Sequence, residues 1–198
     1  LKKMAVLKIA RMGHSILRTK SIPVARPFGQ EIHRLVEDMI HTLNDSGGVG
    51  LAAPQVHNPL RLVIFKVPAA QSAPDRYKAA GLDENCEEVP LTVLINPEIE
   101  VIGNTYNPAF EGCLSLPDMM GLVNRYSHII YRGFGLNGEP IEREARDFHA
   151  RVVQHECDHL DGILYPQRIS DFTTFGYSKE LMKSAGPAES DESIEKQL

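Results

Sequence analysis

The densest chemistry in the chain lies at His155-Glu156-Cys157-Asp158-His159. In a helix, residues four apart stack on one face. Two imidazoles at that spacing can bind one metal ion, and a glutamate beside the first can reach water at that ion. Taken alone, the pentapeptide could equally be a chance match on an amphipathic helix. Two histidines also leave the ion short of ligands, because catalytic sites usually hold three protein ligands and one open position. The longer pattern HExxHxxGxxH is matched through Gly162, but Tyr165 stands where the third histidine would be. The upstream run Glu111-Gly112-Cys113-Leu114-Ser115 is the better source. A Cys113 thiolate with His155 and His159 makes a Cys/His/His set suited to catalysis. Without its neighbours, Cys113 would read as a small buried apolar residue. Cys157, two residues from His155, points away from the histidine face. His149 is about 120° off that face at about 100° per residue, and reads as a surface or supporting residue. Cys86 lies in a polar stretch and is read as incidental.

A third segment, Gly48-Val49-Gly50-Leu51-Ala52-Ala53-Pro54-Gln55, is small and glycine-rich. Such backbone can pass close to a ligand or to another strand. It does not follow a strand and open a helix, so a dinucleotide loop is not indicated. A tight crossing beside the core is the plain alternative. Gln55 adds chemistry, because a side-chain amide can donate to a developing oxyanion.

The elements that must carry these residues follow from periodicity. Ile32, Leu35, Val36, Met39, Ile40 and Leu43 recur at helical spacing between Gln30 and Asn44, and Asp45-Ser46-Gly47-Gly48 ends that helix. Strand-like runs fall at Leu62–Val67, Thr92–Ile95, Ile99–Ile102 and His128–Tyr131. Asn137-Gly138 predicts a two-residue hairpin into a strand near Pro140–Ala145. Gln71–Glu88 reads as a surface loop, and a second helix runs from about Phe148 to Leu160. Strands followed by one long helix give an α+β domain.

A chain of 198 residues, 42% apolar, fits one domain, taken as 1–184. Residues 185–198 are acidic and read as a solvated, disordered tail. The net charge is −5 without a basic block, so direct DNA binding is not expected. Three cysteines do not form a disulfide framework, and no apolar run approaches a membrane span. The expectation is a cytoplasmic protein, with Leu1–Lys3 preceding a possible start at Met4.

Together the three segments resemble the peptide deformylases, which carry GxGxAAxQ, EGCLS and HExDH in this order. Here these are Gly48–Gln55, Glu111–Ser115 and His155–His159, matched at every fixed position. The resemblance runs from about Met12-Gly13 to Leu164-Tyr165. It departs at His14-Ser15, where many relatives have Asp-Pro, and at Pro117-Asp118, where they often have Pro-Gly. It implies a deformylase fold, with small antiparallel or mixed sheets around a central HExxH helix. It implies hydrolytic removal of the formyl group from the N-terminal methionine of new polypeptides, with formate released.

By the same resemblance, Cys113, His155 and His159 hold one divalent metal ion and Glu156 is the catalytic carboxylate. Gln55 and the Leu114 N–H become oxyanion donors, and Gly50 a backbone contact to the substrate. The implied ion in the cell is Fe(II), with zinc, nickel or cobalt also accepted by such ligands. The implied partners are formyl-methionyl nascent chains and, transiently, the ribosome. The compact length without a transit-like leader favours a bacterial form. Phe148 and Val152 share the His155 face of their helix and, with Val49, are candidate walls of a methionine pocket; plain core packing is their alternative. Arg151 is expected at that pocket's rim, its stem over apolar surface. A peptidase cutting internal bonds and an inactive binding homologue are the competing readings. Tyr165 argues against the first, and the intact Gln55, Cys113 and Glu156 against the second.

Overall fold

The computed structural model describes residues 5–184, so the expected tail at 185–198 lies outside the described residues. The first long element is helix α1, Gln30–Ser46, whose buried face is Ile32, Val36, Met39 and Leu43. Its end is set by Gly47, at φ 65°, a left-handed conformation that a side chain disfavours. Strand β1 (Gly50–Ala52) then leads to β2 (Leu62–Val67). A short helix α2 (Asp75–Ala79) is followed by β3 (Val89–Val101), β4 (Tyr106–Cys113), β5 (Leu116–Tyr126), β6 (His128–Phe134) and β7 (Pro140–Arg146). Helix α3 (Asp147–Leu160), strand β8 (Gly176–Tyr177) and helix α4 (Ser178–Ser184) complete the order.

Two sheets result, in the orders β1-β2-β3-β6-β7 and β4-β5-β8, with antiparallel neighbours throughout. The larger sheet is covered on both faces, which explains why β2 reads as a continuous apolar run. Leu62 and Ile64 join the α1 residues Val36, Met39 and Leu43 in one cluster. Val63, Phe65 and Val67, pointing the other way, join the α3 residues Phe148, Val152, Val153 and Leu160. The HExxH helix therefore lies between the large sheet and the β4–β5 hairpin, in the α+β arrangement expected.

Several local expectations change. The runs at 92–95 and 99–102 are one strand, β3, broken in register between Ile95 and Glu98. Pro97 cannot donate to the ladder, and Asn96 stands at φ 52°. The β6–β7 hairpin closes at Phe134↔Pro140, so 135–139 form a longer loop than the two residues expected. Within that loop the Gly138 N–H bonds the Gly135 carbonyl. The stretch 71–88 is more than surface loop: it contains α2, and Leu82 is buried. Strands β4 and β5 had no clear alternation to announce them, since Pro108, Gly112, Pro117 and Gly121 interrupt it. Among the described residues no helix is long and apolar enough to cross a membrane.

Candidate active site

Helix α3 and the β4–β5 turn meet at the chemistry. The register Cys113↔Leu116 makes a tight reversal with Leu114-Ser115 at its tip, which projects Cys113 toward the helix. One ligand atom from each of Cys113, His155 and His159 lies within 4.8 Å of the others. Cys113 Sγ is 3.3 Å from His159 Nε2. Among the described residues this is the one group of three or more such side chains able to hold a metal ion. The chemistry of the set fits a borderline-soft divalent cation. A second observation agrees: Glu156 Oε2 is buried with no hydrogen-bond partner, as expected of a carboxylate that faces water at a cation.

The electrostatics are those of a buried acid–base centre. Burial pushes the Glu156 carboxyl up to about 7, which leaves it able to take a proton and to return it near neutral pH. Burial alone would lower His155, but the bonds and charges of Cys113 and Glu111 hold its imidazole well above the ordinary value. Burial, and then the neighbouring His155, hold His159 well below it.

Sequence reasoning did not assign the group that orients His155. Its Nδ1 lies 2.8 Å from Glu111 Oε2, which leaves Nε2 for the metal side. Glu111 is gripped by Arg125, with Nε to Oε1 at 2.8 Å and Nη2 to Oε2 at 2.9 Å. Burial would raise the Glu111 carboxyl, but Arg125 and then His155 hold it well below the usual carboxylate range. Arg125 continues to Asp158 of the HExDH motif, and Asp158 to Arg168 at 2.7 Å. The available signal was the glutamate opening EGCLS, whose partner could be found only from the fold.

Gln55 is buried, and its orientation is fixed. Its Oε1 accepts the Ala52 N–H at 2.9 Å, which turns Nε2 toward Ser115 Oγ at 3.1 Å and Cys113 Sγ at 3.5 Å. The amide donors therefore face the candidate metal site. The Leu114 carbonyl accepts Arg11 Nη1 at 2.6 Å, which ties the turn to the N-terminal segment.

Gly50 has a further constraint. A β-carbon there would overlap the Glu156 carboxylate. Gly50→Ala is therefore expected to displace Glu156 and lower kcat by ~10²-fold, the low end of what a general acid–base group contributes. Metal content should stay unchanged. Steady-state kinetics beside metal analysis check this, and wild-type kcat would mean that Glu156 tolerates the shift.

Phe148 and Val152 are buried members of the cluster on the α3 side of the large sheet, and the half-buried Val49 packs against it. Phe148 meets the Tyr77 ring edge-on at 6.1 Å. Arg151 is not at a rim. It is 3% exposed, and its guanidinium turns inward to Glu111 because that carboxylate and nearby carbonyls offer acceptors. His149 is likewise neither on the surface nor in the metal's support. It is buried against Phe65 and Tyr131, where burial lowers its imidazole to about 4. Cys157 is buried on the core side.

The cysteines should differ in reactivity. Burial raises the Cys157 thiol strongly and the Cys86 thiol less, which disfavours thiolate at both. Mild peroxide is expected to oxidise Cys113 first, with activity falling in step. Peptide mass spectrometry reads the order, and first oxidation at Cys86 or Cys157 with parallel inactivation would count against Cys113 as a ligand.

A Cys/His/His centre with an adjacent buried carboxyl on an HExxH helix defines the class of mononuclear metal-dependent hydrolases. Residues 6–174 match the sequence profile of the polypeptide deformylase family. Peptide deformylase 1 of Bordetella pertussis is 46% identical over 179 residues, covering 90% of this chain and 96% of that one. Peptide deformylase 2 of Pseudomonas syringae is 45% identical over 184 residues, 92% and 97% of the two chains. Among solved structures, the Met-Ala-Ser-bound class I type b peptide deformylase of Acinetobacter baumannii aligns with TM-score 0.75 at 35% identity, covering 84% of this chain and 100% of that one. The peptide deformylase of Thermotoga maritima aligns with TM-score 0.70 at 32% identity, covering 84% and 99%. This chain belongs to the polypeptide deformylase family.

Proposed function

We propose that the chain hydrolyses the formyl amide on the N-terminal methionine of new polypeptides and releases formate. The observation that carries this is the convergence of Cys113, His155 and His159 beside Glu156, in a chain whose relatives are peptide deformylases. Cys113, His155 and His159 would hold one divalent ion, Fe(II) in the cell, in a donor set that also accepts zinc, nickel or cobalt. When bound, such an ion supplies Lewis acidity, polarising a carbonyl and acidifying water.

Glu156 takes the proton of the attacking water as the formyl carbon is attacked. Gln55 Nε2 and the Leu114 N–H donate to the oxyanion that develops. Glu156 then returns the proton to the leaving amine, and the C–N bond breaks. Glu111 holds the His155 ring through Nδ1 while this happens. Val49, Phe148 and Val152 would line the methionine side chain's site, and the Gly50 backbone would align the peptide. Substrates of this kind emerge from the ribosome, so the reading extends to a cytoplasmic enzyme in transient contact with it. Residues 1–184 would form the catalytic domain.

The test is removal and return of the metal. A chelator should abolish formate release from a formyl-methionyl peptide, and one equivalent of Fe(II) or Ni(II) should restore it. Full activity in metal-free protein would overturn the proposal.

A further inference from the structure

We infer that Arg151 is a positioning residue for the metal centre, acting through Glu111 and His155 and locking helix α3 to the hairpin that carries Cys113. The inference rests on the Cys113–His155–His159 centre proposed above. Arg151 is four residues before His155 on the same helix, so its side chain rises beside that imidazole. Its Nη1 donates to Glu111 Oε1 at 2.8 Å and to the Val123 carbonyl at 3.0 Å, with the Ala109 carbonyl at 3.5 Å. Its Nη2 donates to the Asn107 carbonyl. Asn107 and Ala109 belong to β4, and Val123 to β5. One guanidinium thus joins the element bearing two histidine ligands to both strands of the hairpin bearing the thiol.

Arg151 also completes Glu111. Oε1 accepts from Arg125 and Arg151, while Oε2 accepts from Arg125 and faces His155 Nδ1. Four contacts fill the lone pairs of one carboxylate, so the group has no spare direction in which to rotate. Arg125 alone already supplies a buried counter-charge in bidentate geometry. Arg125 is shared with Asp158, so a second guanidinium at Glu111 contributes charge as well as contacts, and burying it costs solvation. What Arg151 adds beyond charge is direction: it fixes Oε1, and through the rigid carboxylate it fixes Oε2 against His155. Lysine could replace the charge but not the planar fork.

The experiment compares the full-length wild type with Arg151→Met and Arg151→Lys, each freed of metal and titrated with Co(II) against a chelator. The readouts are the dissociation constant and the visible absorption of the bound ion, which reports ligand geometry. Arg151→Met is expected to weaken Co(II) by 10- to 100-fold, the usual effect of losing a support behind a metal-bound histidine, and to alter the spectrum. Arg151→Lys should recover part of the affinity. A folded Arg151→Met protein with wild-type affinity and spectrum, differing only in melting temperature, would reduce Arg151 to a structural tie and overturn the inference. If the methionine variant does not fold, the lysine variant decides on the same two readouts: both unchanged overturns the inference, either altered supports it. Failure of the wild type to bind Co(II) takes down the metal centre and this inference together. Normal binding by all three proteins removes only the role of Arg151.

Discussion

Glu156→Gln is expected to keep the metal and lose ~10²–10⁴-fold in kcat, the range that general acid–base catalysis supplies. The substitution preserves shape and the capacity to hydrogen-bond water, but an amide cannot accept the proton. The structure favours a large effect. Glu156 is buried, its Oε2 has no protein partner, and burial has raised its carboxyl to about 7. None of the three candidate ligands is changed, so metal analysis should match the wild type. Turnover near wild type in the loaded variant would remove Glu156 from the chemistry.

Gln55→Ala is expected to lower kcat by ~10²–10³-fold, the usual loss for one oxyanion donor, with metal content retained. KM should move less, because the donor serves the transition state more than the ground state. Glutamine is a poor ligand beside thiolate and imidazole, so retention should not depend on it. The structure also supplies a rival explanation that the kinetics can separate. Gln55 Oε1 holds the Ala52 N–H, so the side chain pins the glycine-rich segment as well as facing Cys113. Loss of pinning alone would raise KM, loosen the metal and lower stability together while kcat changed little. That joint pattern would refute the oxyanion role.

The residues proposed to carry the chemistry were legible because their signals are short-range. His155, Glu156 and His159 lie on one helix, where spacing fixes geometry. Cys113 and Gln55 stood in short patterned segments of their own. The residues that support them were not legible. Glu111 meets Arg125 only through the β4–β5 register, and meets Arg151 and His155 only once α3 is laid against that hairpin. No helical or strand period encodes such a crossing. Arg151 was misplaced for this reason: helix spacing gave its face, but not the acceptors waiting there. His149 was misjudged likewise, since its angle on the helix excluded it as a ligand without revealing that Phe65 and Tyr131 enclose it.

The fold shows the same division. Helix α1 followed from periodicity because it buries one regular face, whereas β2 showed as a continuous apolar run and α3 through the spacing of its histidines, both being buried nearly all round. Strands β4 and β5, broken by proline and glycine, are held by pairing with one another and were not visible as separate runs. Helix α2 is too short to show a period, although its Tyr77 reaches Phe148 and the Gly47 carbonyl.

Substrate choice decides whether the proposed Cys113–His155–His159 centre with Glu156 removes a formyl group. The metal-loaded protein would be offered three peptides of the same sequence: one N-formylated, one N-acetylated, and one with a free amine that exposes only internal bonds. Mass spectrometry would follow each product, with formate measured in parallel. Stoichiometric formate is expected from the first peptide, with the acetylated peptide and all internal bonds left intact. Cleavage of internal bonds while the formyl group stayed in place would overturn the proposed activity.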